Sequence, residues 1–551
     1  MIDIGNLFVT QRRHTHTGTL PEDNRILKAL HRLGGADSLF AGIRALGQGR
    51  THPIVRNLLC ALRAALLEKI DFADGSFLGY RPLGMTEKMR CIAFACMNKQ
   101  MKAAFNDHFT RILPEDLQSW NRARDAAESA ALARRLERDA AAGSLGSSAL
   151  ERAEAALSSA LADLEAASQP PKFVTNWAYA PYGTEVLSRL VSGWTDADPS
   201  SVTISDDLTN MYNTTSRKAG FAFLRKRFPA LIPLFRLFYG SPADIWLGGR
   251  RVPIERTVRP DGSTSTVLGD ETSTDFLRSV EGGSQGCGGA TLLTVGAYHE
   301  CLSDVQRTHP DVNIAAIADD TYLNGEGERD GAVFDCFADK RTEARKINLE
   351  SKLRKVGVFS PQADLSLAPP DLPGSPHYGD GARLDYIKVA GTLVGDPAVV
   401  SPVLCAIISK RLSNLATITR LRDDLHTVNV AQLQSNLLRL CASAIPNHWM
   451  RTMPPTTTST AAVLADTLVA DAFRSLFATD SPPDRARLAS AAAQLPVRDG
   501  GLGLANYACT QYGSRRDATR SFRRHHTSEI SSAIVYADAE TLLAHAEGAP
   551  V

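Results

Sequence analysis

The stretch Ile317-Ala318-Asp319-Asp320 lies between the apolar run Val312-Asn313-Ile314-Ala315-Ala316 and the run Thr321-Tyr322-Leu323, and it constrains the local fold more than any other segment. Two β-prone runs around a paired acid predict a hairpin whose tight turn lifts both carboxylates to one end of a sheet. Adjacent carboxylates repel, and each resists ionising beside the other unless a cation lies between them, which makes Mg²⁺ the natural guest. Asp is also a favoured turn residue, so the pair alone reads first as turn chemistry, and the rest of the chain has to decide.

With 551 residues the chain has room for roughly three or four packed units. A hydrophobic fraction of 44% and a charged fraction of 22% are ordinary for a globular protein. Lys and Arg (61) almost balance Asp and Glu (60), so no overall basic excess announces nucleic acid, although a basic channel can be offset by acids elsewhere. The nine cysteines are odd in number and show no zinc-ligand spacing, which predicts reduced thiols. No apolar run approaches the roughly 18 residues that span a bilayer, and Met1-Ile2-Asp3-Ile4-Gly5 lacks a signal-peptide pattern. The expectation is an intracellular protein, nuclear or cytoplasmic, not secreted and with no membrane partner. His14 and His16 form an H-x-H in a polar segment without a third ligand nearby, and read as a solvated tail.

Residues 1–70 read as helical, with apolar positions at helical spacing in Val55-Leu58-Leu59-Leu62-Leu66. A turn, a basic segment and a helix follow from Gly79 to Asn121. Residues 121–169 are rich in Ala, Arg and Glu and broken only by Gly143-Ser144-Leu145-Gly146-Ser147-Ser148, which predicts a helical hairpin insert ending at Pro170-Pro171. Further on, Ser201 to Ser205 reads as a strand running into acids, Ser216 to Phe228 as a helix, and 250–275 as a polar loop with two short β-prone runs. Residues 290–305 and 332–349 read as helices, 361–382 as a Pro/Gly-rich loop, and the chain beyond 400 as mainly helical. This order describes an α+β domain with helices packed on an antiparallel sheet.

Asp207 follows the predicted strand, and side-chain alternation allows only one of Asp206 and Asp207 to share a site with Asp319; the favoured one is Asp207, which opens Asp207-Leu208-Thr209-Asn210-Met211-Tyr212-Asn213. Between the acids, Gly282-Gly283-Ser284-Gln285-Gly286-Cys287-Gly288-Gly289 opens a helix, where glycines let backbone approach a planar or phosphate-bearing ligand. In order and context these pieces resemble the reverse transcriptase family, especially its non-LTR retrotransposon type. The first motif is similar to Asp207–Asn213, the second to Ser284-Gln285-Gly286, the third to Ile317–Asp320, and the fourth to Asn348–Pro361 with Lys355 as its lysine. Upstream, Arg81-Pro82-Leu83-Gly84-Met85 with Lys88 and Arg90 resembles the basic fingers motif. Downstream, Ile387 to Gly395 resembles the primer-grip hairpin, with Gly391 and Gly395, and Leu495 to Leu504 resembles a segment after the thumb. The resemblance covers most of residues 79–505. Two positions depart from it: Cys287 stands where an acid is usual, and Ile317 where an aromatic is usual.

The resemblance implies a right-hand polymerase fold: an N-terminal helical region (1–70), fingers (71–200) carrying the insert, a palm (201–365) whose antiparallel sheet bears the acids, a primer grip and helical thumb (366–480), and a C-terminal helical region with a basic tail (481–551). It implies RNA-templated DNA synthesis through two Mg²⁺ ions, with Mn²⁺ as a substitute, held by Asp207, Asp319 and Asp320. Arg81, Lys88 and Arg90 would hold the incoming triphosphate, with Gln285 and Gly286 also at the nucleotide. Lys355 would protonate the pyrophosphate, Lys352 being its rival. Tyr212 would stack under the sugar and exclude a ribose 2′-hydroxyl. The implied partners are an RNA template, a DNA or RNA primer and dNTPs, with a protein partner open for the 121–169 hairpin. The basic segment Ser514 to His526 suits phosphate binding or a solvated tail. Two alternatives stay open: a catalytically silent scaffold of the same fold that binds RNA or protein, and an RNA-templated RNA polymerase.

Overall fold

The computed structural model describes residues 62–70, 77–85 and, with interruptions, 88–508. The N-terminal segment with His14 and His16 and the basic segment 514–526 lie outside the described residues. The chain divides into two compact units, each assembled from three separate stretches. One holds residues 1–179, 208–310 and 338–351; the other holds 180–207, 311–337 and 352–551, so the expected palm stretch 201–365 is shared between them.

At the heart of the second unit is an antiparallel sheet in which strand Val202–Asp207 is flanked by Gly357–Phe359 on one side and Asp320–Gly325 on the other, with Asn313–Ile317 next beyond. Val202, Ile204, Ile314, Leu323 and Val358 share one face of the sheet and are almost completely buried there. The opposite face carries a polar ladder. Asn324, 3% exposed, donates from Nδ2 to Ser201 Oγ at 2.9 Å and to Thr203 Oγ1 at 3.1 Å, and Thr203 is its register partner. A second hairpin, Tyr386–Val389 with Thr392–Gly395, turns through Ala390 and Gly391. Helix Pro397–Leu412, N-capped by Asp396 Oδ1 on Ala398 N–H at 2.8 Å, packs along Pro455–Phe477. Between them Val400, Leu404 and Ile408 meet Ala461, Ala462 and Ala465, whose small side chains let the helices approach closely. Leu504 and Tyr507 complete this core.

The first unit answers the sequence reading in part. Helices Pro114–Ala142 and Ser147–Ser168 form the expected hairpin, starting earlier than residue 121, and Trp120 Nε1 donates to Ala167 O at 2.8 Å across its base. Ala131 is the one buried side chain among the described residues of the first of these helices. The hairpin's root is held by charge: Arg227 bridges Glu115 and Glu300, and Arg307 Nε meets Asp116 Oδ1 at 2.8 Å. Helices Arg217–Arg227 and Ala290–Thr308 fall where expected. The polar loop at 250–275 is more ordered than predicted: Pro253–Val258 pairs with Thr264–Leu268 and with Asp275–Phe276.

Leu62–Ile70 corrects the helical reading of the N-terminal region. It is a strand, antiparallel to Phe77–Met85 and parallel to Ala243–Leu247. Leu62 and Leu66 match helical spacing, but a strand partner farther along the chain (Leu67 pairs with Arg81, for example) outweighs local periodicity. Among the described residues Phe77–Met85 ends the strand order of its sheet, and an edge strand is where a proline such as Pro82 is accommodated.

Candidate active site

The acid cluster belongs entirely to the second unit. Asp207 closes its strand, and its partner directly across the ladder is Asp320, the first residue of Asp320–Gly325. Like charges set opposite each other across a sheet are destabilising, so this register works against the fold unless something offsets it. Ile317 also pairs with Asp320, which leaves Ala318 and Asp319 as a two-residue turn, with Ala318 at φ 53°. A left-handed first turn position is what the primed hairpin turns demand, and Ala meets it only under strain. Asp206 takes the opposite face and is 3% exposed, so of the neighbouring acids it is Asp207 that shares a face with Asp320.

Lys355, on the short turn Leu353–Lys355, donates from Nζ to Asp207 Oδ2. Lys352 meets the same residue differently, its backbone N–H donating to Asp207 O at 2.8 Å. Lys355 thus places its ammonium on the Asp207 carboxylate. The ion pair is partly exposed, the Lys355 side chain at 52% and that of Asp207 at 22%. Asp320 shows the electrostatic load. Burial first, then the Asp319 and Asp207 carboxylates, push its acid up to about 6 against the pull of Lys355.

Asp207, Asp319 and Asp320 offer hard oxygen donors of the kind Mg²⁺ takes, and the raised Asp320 acid marks a place where added positive charge would be welcome. Among the described residues no three His, Cys, Asp or Glu side chains converge into a ready cage.

The residues expected at a nucleotide fall in the first unit. Tyr212 and the glycine loop come together there. Gly282 N donates to Thr215 O at 2.9 Å, and Gly283 N to Tyr212 O at 2.5 Å. Gly282 has φ 66°, and a Cβ on it would stand 2.3 Å from Tyr212 O, so only glycine fits. The Tyr212 hydroxyl lies 3.3 Å from Thr291 Oγ1 in the first turn of Ala290–Thr308. Gln285 is half-buried and Gly286 is exposed with φ 98°. Gly289 has a packing explanation instead of a ligand: a Cβ there would stand 2.2 Å from the Phe94 ring. Arg217 organises the loop, donating to Gly282 O at 2.9 Å and Ser279 Oγ at 2.8 Å.

Arg90 is 1% exposed, with its guanidinium 4.7 Å from the Tyr239 ring centroid and 5.1 Å from that of Phe238. It faces the core of its unit, beside Cys287, and not a ligand-bearing surface. Arg81 lies on strand Phe77–Met85 and Lys88 opens helix Lys88–Thr110; their side chains are outside the described ones.

Gly391, φ 88°, sits in the second-unit turn with Ala390 at φ 48°. Gly395 is fixed by crowding, since a Cβ there would stand 2.7 Å from Asp385 O. Sequence reasoning passed over Tyr322, His448 and Trp449, which hold this turn. Only for Tyr322 was there a signal: it lies two residues after Asp320 and so on the same strand face.

No family model matches the chain, and no curated protein matches it. Among solved structures, apo telomerase from Candida tropicalis is similar over 87% of this chain and 69% of its own, at 10% identity and a TM-score of 0.30. Telomerase from Candida albicans, in complex with a TWJ fragment of telomeric RNA, is similar over 88% and 65%, at 9% identity and a TM-score of 0.28. Likeness this slight carries no functional argument. No helix among the described residues is long and apolar enough to cross a membrane.

Proposed function

We propose that this chain is a templated nucleotidyltransferase that extends a primer with dNTPs on an RNA template, by the two-metal chemistry of the reverse transcriptases its motifs resemble. The observation that carries the reading is the register that sets Asp207 against Asp320, with Asp319 in the adjoining turn and the Lys355 ammonium on Asp207. A fold gains nothing from opposing carboxylates, whereas a site for cations and phosphates needs them.

Asp207 and Asp319 would hold two Mg²⁺ ions, with Asp320 as the weaker ligand. When bound, the metal supplies the charge that activates a primer 3′-hydroxyl and steadies the departing pyrophosphate. The chain's own residues do the rest. Lys355 gives a proton to the pyrophosphate oxygen as the bond to the α-phosphorus breaks. The turn at Ala390-Gly391 supports the primer end. Tyr212, whose backbone O accepts from Gly283 N–H, would select deoxyribose through its ring. Arg81 and Lys88 are the proposed triphosphate ligands; the burial of Arg90 gives it a supporting place under the glycine loop instead.

The test is primer extension on an RNA template with dNTPs and NTPs offered separately, with and without Mg²⁺ or Mn²⁺. Metal-dependent addition of dNTPs is the expected result. Addition of NTPs alone would make the chain an RNA polymerase, and no addition with intact RNA binding would make it a silent scaffold. Tyr212→Ala is expected to raise ribonucleotide incorporation in competition assays; an unchanged sugar preference would reduce Tyr212 to a core residue.

A further inference from the structure

Tyr322 follows Asp320 by two residues on strand Asp320–Gly325, so both side chains stand on one face of the sheet. The ring is 4% exposed. Its hydroxyl reaches out of the acid hairpin to the second hairpin of the same unit, donating to Lys388 O at 3.4 Å and accepting from Ala390 N–H at 3.1 Å. One phenol thus joins the strand that begins with Asp320 to the first residue of the Ala390-Gly391 turn.

That turn is braced from its other side as well. Trp449 Nε1 donates to Gly391 O at 3.0 Å, and His448 Nε2 lies 3.1 Å from Ala390 O and 3.2 Å from Thr392 Oγ1. Ser188 Oγ donates to Val389 O at 3.1 Å and lies 2.9 Å from Thr392 Oγ1. The helices carrying these residues fix the turn within the unit, but none of their side chains carries an acid of the cluster. Among these braces the Tyr322 hydroxyl alone comes from the strand that carries Asp320.

We infer that Tyr322 is a positioning residue: its hydroxyl, shared between Lys388 O and Ala390 N–H, sets the spacing between the turn that supports a primer end and the carboxylates that act on it. The inference rests on the proposed polymerase reading and deepens it. Removing the hydroxyl leaves the ring, the strand and the helix-side braces in place, so the turn stays formed and its distance from the acids is freed. A displacement of about 1 Å between reacting groups is enough to cost roughly a hundredfold in rate.

The experiment compares the full chain with Tyr322→Phe in single-turnover extension on an RNA template, with dNTP concentration varied, alongside primer-template affinity and thermal unfolding. Expected is a drop of roughly 10- to 100-fold in the maximal rate of addition, with the half-saturating dNTP concentration and primer-template affinity within about twofold of wild type. Equal maximal rates would overturn the inference. So would a loss that appears wholly in primer-template affinity or in the folded fraction, since that is how a merely structural tether behaves. Tyr322→Leu, which also removes the ring, separates packing from positioning: if it alone loses activity while Tyr322→Phe keeps it, the ring matters and the hydroxyl does not. An inactive wild-type chain removes the polymerase reading and this inference with it, an outcome distinct from an active wild type whose Tyr322→Phe variant is equally fast.

Discussion

Two hairpins in the second unit reverse the chain through two residues each, and both begin the turn with an Ala in the left-handed region, Ala318 at φ 53° and Ala390 at φ 48°. Their surroundings are opposite. The 318–319 turn adjoins mutually repelling carboxylates, and the ammonium beside them, that of Lys355, is half-exposed. The 390–391 turn has its carbonyls and N–H groups met by Tyr322, Ser188, His448 and Trp449. The first hairpin is loaded and the second is braced. Strain in a turn therefore says little about function until one asks whether its neighbours relieve the strain or add to it.

The largest expected effect tests the load. Asp207→Ala or Asp319→Ala should lower metal-dependent addition at least roughly a thousandfold, about 4 kcal/mol of barrier, with the circular dichroism spectrum unchanged. Extension near the wild-type rate by either variant would mean the first hairpin is not loaded for chemistry at all.

Next in size is the cost of that load to stability. Burial and the Asp319 and Asp207 carboxylates push folded Asp320 up to about 6 from an ordinary 3.8, so the folded chain holds this proton more tightly than the unfolded one. Its contribution is neutral below the lower value, becomes a growing penalty as pH rises between the two, and levels off above the higher one at up to about 3 kcal/mol. Metal-free Asp320→Asn should therefore melt higher than wild type near pH 7.5 and almost equally near pH 4. Equal melting temperatures at both pH values would show that the repulsion is already relieved.

Strain in the braced turn is smaller. Ala390→Gly should stabilise the chain by about 1 kcal/mol in urea unfolding, since glycine takes the left-handed region without a Cβ clash. A destabilised variant would mean the braces, and not the backbone, dictate that conformation. Smallest of all is the effect expected on the acids from outside their unit. Replacing residues 121–169 with a short Gly/Ser linker retains Glu115 and Asp116, the charged root of the helical hairpin, and should leave extension on a short template within about twofold of wild type. Loss of folding or of all extension would place the helical hairpin in the catalytic core.

Much of this site was legible in the chain because strand alternation is a two-state code: with Val202 to Ser205 read as a strand, Asp206 and Asp207 had to part, and the ladder pairs Asp207 with Asp320. The glycine loop was legible only as a loop. That Gly282 serves Tyr212, and Gly289 serves Phe94, are facts of distant packing that no local pattern carries. Arg90 shows the converse. A basic residue in a segment that resembles the fingers motif reads as a triphosphate ligand, and nothing nearby in sequence announces the Tyr239 and Phe238 rings that enclose it. Leu62–Ile70 was misread for the same reason, its partners lying elsewhere in the chain.

The buried amide of Asn324 has a consequence for how the chain assembles. Two acids in succession at the end of a strand create a hazard, because pairing displaced by one residue would bring Asp206 to the place of Asp207 and carry every other side chain to the wrong face. In the correct alignment the amide finds Ser201 Oγ and Thr203 Oγ1. Displaced by one, it would find the hydrocarbon of Val202 and Ile204 and be stranded without a partner. Satisfied only in the native alignment, the Asn324 amide favours the register that sets Asp207 opposite Asp320.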